Sequence, residues 1–542
     1  MFNEFSSEDP ALLRQRLESA DLPESVYDLL RHTAITHGHC LAWDFVDSGV
    51  RRNWREVLDG VDATAAGFTQ AGIVAGTHVA VMAWNCEEFA LAWLALARVQ
   101  AVMVPINAAY TAREIQYVMD TSDASFLILE EEFLTRLDEL ERRPVADGKL
   151  IVIGPAAAPA GAIGWQDMIA AGRHTDVPAA PRRRDNLLNL QYTSGTTGFS
   201  KACMLSHDYW LVLAYSSLAF FGTELRRFYM GSSLFYMVGQ RILLNAMVCG
   251  GAVYVPRKAG AKRFMQDVAK YGCDYCALFE MVYKQPPLPS DAGNVLKIAT
   301  IFAFAPDHHR DFEQRFNVHG QEFYGMTEIG GAAYVPAHEL QNRCGSGSCG
   351  IAAPFRELKV VDEKGAPCAP GTAGELMVRG RGLLKGYYKN PKATEEAFTD
   401  GWFHTGDVAS LDEEGYLTIR GRMKDMVRRS GENISAREVE SVIRSIAEVQ
   451  DVAIIAVPDA YREEEVKAYI LLAPGASPEA ITPDTILAFC RPLLASYKLP
   501  RYFEYRTSLP LTDSQRVQKK VLREEKPDLR TDSYDAQEQR WH

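Results

Sequence analysis

Apolar positions along the chain alternate between two rhythms. Short unbroken apolar runs, typical of strands buried on both faces, are separated by stretches whose apolar residues recur every three to four positions, typical of helices packed on one face. His78-Val79-Ala80-Val81-Met82 predicts a strand, Glu87 to Val99 a helix, and Val102 to Ile106 a second strand. Thr111 to Thr121 predicts a further helix and Ser125 to Leu129 a third strand. This spacing marks βαβ units and a parallel, doubly wound sheet, so the expected fold class is α/β. Residues 1–25 are polar and carry Pro10 and Pro23, which suits a docking arm or one short helix. Pro155 to Pro181, rich in Ala, Gly and Pro, reads as a connection. The rhythm resumes with helices over Tyr209 to Phe220, Gln240 to Val248 and Ala261 to Tyr271, and a strand over Ala252 to Val255.

From residue 343 to 423 the chain turns Gly-rich and strand-rich, with Leu358-Lys359-Val360-Val361 and Glu375-Leu376-Met377-Val378 as alternating segments, which suggests a small β subdomain. A last βα section follows from about Lys424, with strands at Val452 to Ile455 and Ala468 to Leu472. The residues from about Glu525 are charged and poor in apolar side chains, and are expected to be mobile.

Composition narrows the function classes. With 542 residues the chain has room for three or four domains of about 150 each. Its hydrophobic content of 47% and charged content of 24% are ordinary for a soluble globular protein. A formal net charge of −12 argues against a nucleic-acid partner, which would call for a basic surplus or stripe. Arg182-Arg183-Arg184 reads as a solvated turn. The first residues show no basic-then-apolar signal, so a cytoplasmic location is expected. The most apolar stretch, Phe89 to Ile106, is broken by Arg98 and Gln100 and suits a buried helix running into a strand better than a membrane span. Ten scattered cysteines fit reduced thiols, and Cys273/Cys276 lack a second pair at zinc spacing.

The first candidate chemistry lies at Thr193-Ser194-Gly195-Thr196-Thr197-Gly198-Phe199-Ser200-Lys201. Small hydroxyl and glycine positions expose many N–H and O–H donors, and Gly195 and Gly198 can take backbone angles closed to other residues. Such a loop can wrap a polyphosphate, with Lys201 as a mobile cation. The apolar Leu187-Leu188-Asn189-Leu190 before it predicts a buried strand, and the stretch after it a helix start. The spacing is not that of a Walker loop.

Four further stretches follow in order: Tyr324-Gly325-Met326-Thr327-Glu328, Gly401-Trp402-Phe403-His404-Thr405-Gly406-Asp407, Gly415 through Asp425 with Arg429 to Ile434, and Leu509-Pro510-Leu511-Thr512-Asp513-Ser514 to Arg523. Together with the Thr193–Lys201 stretch they closely resemble the adenylate-forming superfamily of acyl-CoA synthetases, aryl-CoA ligases, beetle luciferases and carrier-protein adenylation domains. The resemblance covers residues 27 to 523, and Val104-Pro105-Ile106-Asn107 looks most like medium-chain and carnitine-type CoA ligases.

The resemblance implies an AMP-forming acid:CoA ligase that uses ATP, Mg²⁺ and CoA. It implies a large N-terminal domain over residues 1–423, and a mobile C-terminal domain over 424–542 that turns about a hinge at Lys424. Thr193, Ser194, Gly195, Thr196, Thr197, Gly198 and Lys201 would hold the β and γ phosphates, Thr327 the α-phosphate, and Glu328 the metal. Tyr324 would stack on adenine. Asp407 and Arg422 would reach the ribose, and Gly431 would let its loop approach the adenylate and line a thiol channel gated by Tyr236. Taken singly, Glu328 also reads as a helix-cap partner, Asp407 as a turn acid and Tyr236 as a packed core tyrosine.

Two departures stand out. Where the family keeps a C-terminal lysine, this chain has Arg516, with Lys519 three residues on as the other candidate. A planar guanidinium is not a point-charge ammonium. Around the acid pocket, expected from Tyr236, Arg241, Glu280, Ala303, Phe304, Gly325 and Met326, the chain reads Ala303-Phe304-Ala305-Pro306 where Gly-Gly-Ala-Pro is common. Glu280 either pairs with a cationic acid such as a betaine or is bonded to backbone or Arg241. Rival readings are a stand-alone adenylating enzyme that loads a carrier protein, and a nucleotide-binding protein without turnover. The acid's identity and the oligomeric state, a homodimer included, stay open.

Overall fold

The computed structural model describes residues 9–179, 181–193, 201–258, 260–302, 304, 306–429, 432–460, 462–494, 496–512 and 516–542. By packing, the chain forms two compact units. The larger takes in described residues 9–193, 201–358 and 378–403, and the smaller 359–377 and 404–542.

In the larger unit the expected βαβ alternation builds one seven-stranded sheet. Its order is Ala162–Gly164, Leu150–Ile153, Phe126–Glu130, His78–Met82, Val102–Pro105, Leu187–Thr193 and Lys201–Ser206. All neighbours are parallel except the last pair, a hairpin. Helix Glu87–Val99 buries nine of its thirteen residues, because its Ala and Leu positions run nearly all round. Glu87 and Glu88 favour its N-terminal end. It stops at Gln100, whose backbone is left-handed (φ 58°) and whose Nε2 donates 2.7 Å to the Ala97 carbonyl. Trp93 Nε1 on this helix donates 2.9 Å to Asn189 Oδ1, which gives a partner to the polar side chain inside the apolar run Leu187–Leu190. The helix thereby fixes the strand that carries Thr193.

A second, mainly parallel array holds Leu41–Phe45, Ala252–Val255, Arg227–Tyr229, Tyr275–Phe279, Ile298–Phe302 and His319–Met326. It continues antiparallel through Gly330–Tyr334 and Ser348–Ala352. In the smaller unit the hairpin Val449–Asp459/Glu463–Leu472 and the strand Tyr502–Arg506 pack on helix Ala436–Arg444 around Val439, Ile443, Ile454, Ile470 and Phe503.

Three sequence expectations are corrected. The stretch after the Thr193–Lys201 loop is not a helix start: Lys201–Ser206 is a strand, and the helix opens only at His207, where Ser206 Oγ accepts from the Tyr209 N–H at 3.2 Å. Residues 155–181 are more than a connection, since helix Trp165–Ala171 buries Trp165 and Met168. Helix Trp54–Ala71 meets it through Gly67, where a Cβ would come within 2.9 Å of the Met168 carbonyl. The C-terminal residues form strands Tyr534–Asp535 and Arg540–Trp541, held by Arg501 paired with buried Asp535 at 2.8 Å. Ion pairing inside one unit is invisible to composition. Among the described residues, no helix is long and apolar enough to cross a membrane. All ten cysteines are unpaired, and five are buried.

His207 is fully buried, and its Nδ1 accepts the Val26 N–H at 3.3 Å, so it folds neutral. Burial pushes its imidazole down to about 4, with Asp28 opposing. As pH falls below about 6.5, the unfolded chain takes up a proton that the folded chain refuses. Chemical unfolding is expected to lose up to about 3 kcal/mol between pH 6.5 and 4, and His207→Asn to abolish that slope. An unchanged slope in the variant would assign the loss to other groups.

Candidate active site

The larger unit gathers the Glu328 turn, Tyr387 and the base of the Thr193–Lys201 stretch. Strand His319–Met326 ends in a turn over residues 327–329, which leads back antiparallel through Gly330. The turn requires glycine twice. Gly330 has φ +65°, and a Cβ on Gly325 would lie 2.4 Å from the Gly330 carbonyl oxygen. Thr327 is left half-buried and Glu328 buried. The Tyr387 hydroxyl donates to Glu328 Oε1 at 3.2 Å, and the Glu328 carbonyl accepts the Leu384 N–H at 2.8 Å.

Tyr387 also joins this turn to the phosphate-loop region. The Lys201 ammonium stands 4.2 Å from the centre of the Tyr387 ring, and Thr193 lies opposite Lys201 across the hairpin. A buried carboxylate and a lysine far apart in sequence therefore converge on one tyrosine. Ser194, Gly195, Thr196, Thr197 and Gly198 lie outside the described residues. Sequence reasoning missed Tyr387; Gly386-Tyr387-Tyr388 carries no spacing signal, and its role exists only in three dimensions.

Tyr324 is buried in strand register with Ala333, and Gly325 and Met326 are half-buried beside it. Tyr236 precedes helix Met237–Cys249, and its oxygen accepts Asn107 Nδ2 at 3.0 Å. Phe304 is buried and turned into the core, with ring centres 5.5 Å from Phe312 and 6.3 Å from Tyr283. Ala303 lies outside the described residues. Glu280 is half-buried rather than buried, and its partners are His308 Nδ1 at 2.6 Å and Lys284 Nζ at 3.4 Å, not Arg241. Lys284 is one turn along the short helix Glu280–Tyr283, and His308 comes from a separate helix.

The smaller unit holds a second group. Asp407 on strand Trp402–Leu411 lies directly opposite Arg422 on strand Leu417–Arg422. Arg422 Nε pairs with Asp407 Oδ1 at 2.7 Å, and Nη1 donates to the Thr405 carbonyl at 2.9 Å. Asp407 is thus a buried strand residue, not a turn acid. Arg516 and Thr512 exchange two hydrogen bonds, Thr512 N–H to the Arg516 carbonyl at 2.7 Å and Arg516 N–H to Thr512 Oγ1 at 3.1 Å. Crowding by protein atoms and the like charges of Arg422 and Arg437 lower the Arg516 pKa, and Asp407 opposes them. Lys519, by contrast, is tied to Glu440 at 2.7 Å and faces Asp425 at 4.0 Å. Lys424 lies in the short 3₁₀ turn Met423–Asp425, and Gly431 is outside the described residues.

Residues 30–388 match the AMP-binding enzyme family model, and residues 438–516 match the AMP-binding enzyme C-terminal domain. The chain belongs to the AMP-binding enzyme family. It is 32% identical to the putative acyl-CoA synthetase YngI of Bacillus subtilis (strain 168), over 92% of this chain and 96% of that protein. It is 28% identical to a crotonobetaine/carnitine–CoA ligase of Shigella dysenteriae serotype 1 (strain Sd197), over 90% and 97%. Among solved structures, ATP-bound MatB from Rhodopseudomonas palustris aligns with a TM-score of 0.78 at 25% identity, covering 95% of this chain and 98% of that one. The anthranilate CoA ligase AuaEII shares the fold at 24% identity and a TM-score of 0.83, covering 94% and 98%.

Proposed function

We propose that this member of the family is an AMP-forming acid:CoA ligase of the cytoplasm. The observation that carries the reading is the convergence of buried Glu328 and Lys201 on Tyr387, within a chain that matches both family models. An acid carboxylate attacks the α-phosphorus of ATP and pyrophosphate leaves. The CoA thiolate then attacks the acyl carbonyl, and AMP departs with the electrons of the broken anhydride bond. Bringing two anions together requires fixed positive charge and donors. Lys201 and the hydroxyls and N–H groups of Thr193 to Gly198 hold the outer phosphates, Thr327 donates to the α-phosphate, and Tyr324 offers adenine a flat face. Asp407 accepts from the ribose hydroxyls, with Arg422 fixed beside it.

A buried carboxylate suits a hard divalent cation, which accepts oxygen donors, so Glu328 would hold Mg²⁺. Bound there, Mg²⁺ neutralises phosphate charge. The segment 424–542 turns about Lys424 between the two steps, Gly431 gives the thiol its approach, and Tyr236 gates that path. Arg516, beside Asp407 and Arg422 in electrostatic reach, neutralises charge as the adenylate forms, whereas Lys519 is held by Glu440.

Pyrophosphate exchange across a panel of acids, with and without CoA, tests this reading. Exchange together with CoA-ester formation supports it. Exchange without the ester indicates a carrier-protein loader, and no exchange indicates a nucleotide binder. Arg516→Ala is expected to slow adenylate formation about 10²-fold and leave transfer from preformed acyl-AMP nearly intact. Equal slowing of both steps would reject the role of Arg516.

A further inference from the structure

Helix Met237–Cys249 buries a charge with no acidic partner among the described residues. Arg241 is 1% exposed and Asn245, four residues on and on the same helix face, is fully buried. Arg241 Nη2 donates to the Tyr275 hydroxyl at 3.2 Å, and its guanidinium carbon stands 4.8 Å from the centre of the Phe323 ring. Its Nη1, and both Nδ2 and Oδ1 of Asn245, meet no hydrogen-bond partner among the described residues. Glu280, the acid that the sequence offered as a partner, is occupied by His308 and Lys284. A guanidinium taken out of water without a counter-charge is costly, and leaving its donors unmade adds to that cost.

The position adjoins the candidate site inside the same compact unit. The helix begins directly after Tyr236 and packs on helix His207–Phe221, where the Tyr209 hydroxyl meets Met237 Sδ at 2.9 Å. The charges of Glu328 and Arg241 both act on Tyr209, in opposite senses. The reacting carboxylate must stay within reach of the phosphate-binding stretch, so a guanidinium this deep is suited to the other end of the acid.

We propose that Arg241, with Asn245 as a second donor, recognises a second carboxylate at the far end of the substrate, which is therefore a dicarboxylic acid. The proposal rests on the ligase reading and adds the substrate class. A fixed buried cation disfavours an acid bearing a quaternary ammonium, such as carnitine.

The test uses the full chain with α,ω-dicarboxylates of three to six carbons, monocarboxylates of matching length, and carnitine. Pyrophosphate exchange is read together with calorimetric binding of the same acids. At least one dicarboxylate is expected to exceed its matched monocarboxylate about 100-fold in kcat/KM. Arg241→Met, with AMP binding checked to show that it is folded, is expected to lose that preference about 100-fold while gaining on monocarboxylates. Arg241→Lys, which keeps the charge, is expected to retain part of it. Equal or better use of monocarboxylates or carnitine by the unaltered protein would overturn the proposal, as would loss of all acids by one factor in Arg241→Met. Exchange with monocarboxylates alone keeps the ligase reading and sinks the dicarboxylate site. Arg241-dependent dicarboxylate binding without exchange for any acid does the reverse. Neither binding nor exchange sinks both.

Discussion

Glu328→Gln is expected to lower the rate of pyrophosphate exchange by about 10²- to 10³-fold, or about 3–4 kcal/mol of transition-state stabilisation. The amide keeps an oxygen for the Tyr387 hydroxyl, which Glu328 Oε1 now accepts at 3.2 Å, and its backbone link to Leu384 is untouched. What disappears is the negative charge that would hold Mg²⁺ against the phosphates. The loss should therefore fall on adenylate formation, shrink as Mg²⁺ is raised, and leave the thermal midpoint within a few degrees of wild type. Exchange within fivefold of wild type would remove Glu328 from the metal site. A loss that Mg²⁺ does not relieve would recast the carboxylate as a support for Tyr387 and Lys201.

The alternating layers were legible because strands buried on both faces and one-sided helices leave different periods in the apolar pattern. Helix Glu87–Val99 and strand His78–Met82 fall where that pattern puts them. Strand Lys201–Ser206 reads from sequence as a helix start because Ala202, Cys203 and Leu205 bury a face that either element could supply. Its pairing with Leu187–Thr193 is a long-range fact. Thr327, Glu328 and Asp407 could be named from motif order, but their local structure and their partners could not. Nothing local marks Tyr387 as the residue shared by Glu328 and Lys201, or joins Glu280 to His308 rather than to Arg241. The C-terminal strands were hidden for a related reason: charged residues look solvated until their ion pairs are seen, as with Arg501 and Asp535.

Arg356→Met is expected to cost about 3–5 kcal/mol of stability, the largest loss among single substitutions near the site. Arg356 is 1% exposed and feeds backbone carbonyls only. Nε and Nη2 donate to Ile329 at 2.9 and 2.7 Å, Nη1 to Phe355 at 3.0 Å, Nη2 to Gly382 at 3.2 Å, and Nη1 also to Arg381. Burial pushes its pKa down to about 10, with Tyr209 and Asp208 opposing, so it remains charged at neutral pH. Removing it strands four carbonyl acceptors at once, those of Ile329 and Phe355 buried and those of Arg381 and Gly382 half-buried, and each buried one costs about 1–3 kcal/mol when left unmade and unrelaxed. Arg356→Lys should recover only part of the loss, because three ammonium donors cannot copy a planar five-donor fork. Chemical unfolding measures the cost, and a loss below about 1 kcal/mol would show that water replaces the guanidinium freely. Activity should fall further than stability alone accounts for. The Ile329 carbonyl is the next one after Glu328, so whatever loosens it lets the metal-binding carboxylate drift from the phosphates while the rest of the unit stays folded.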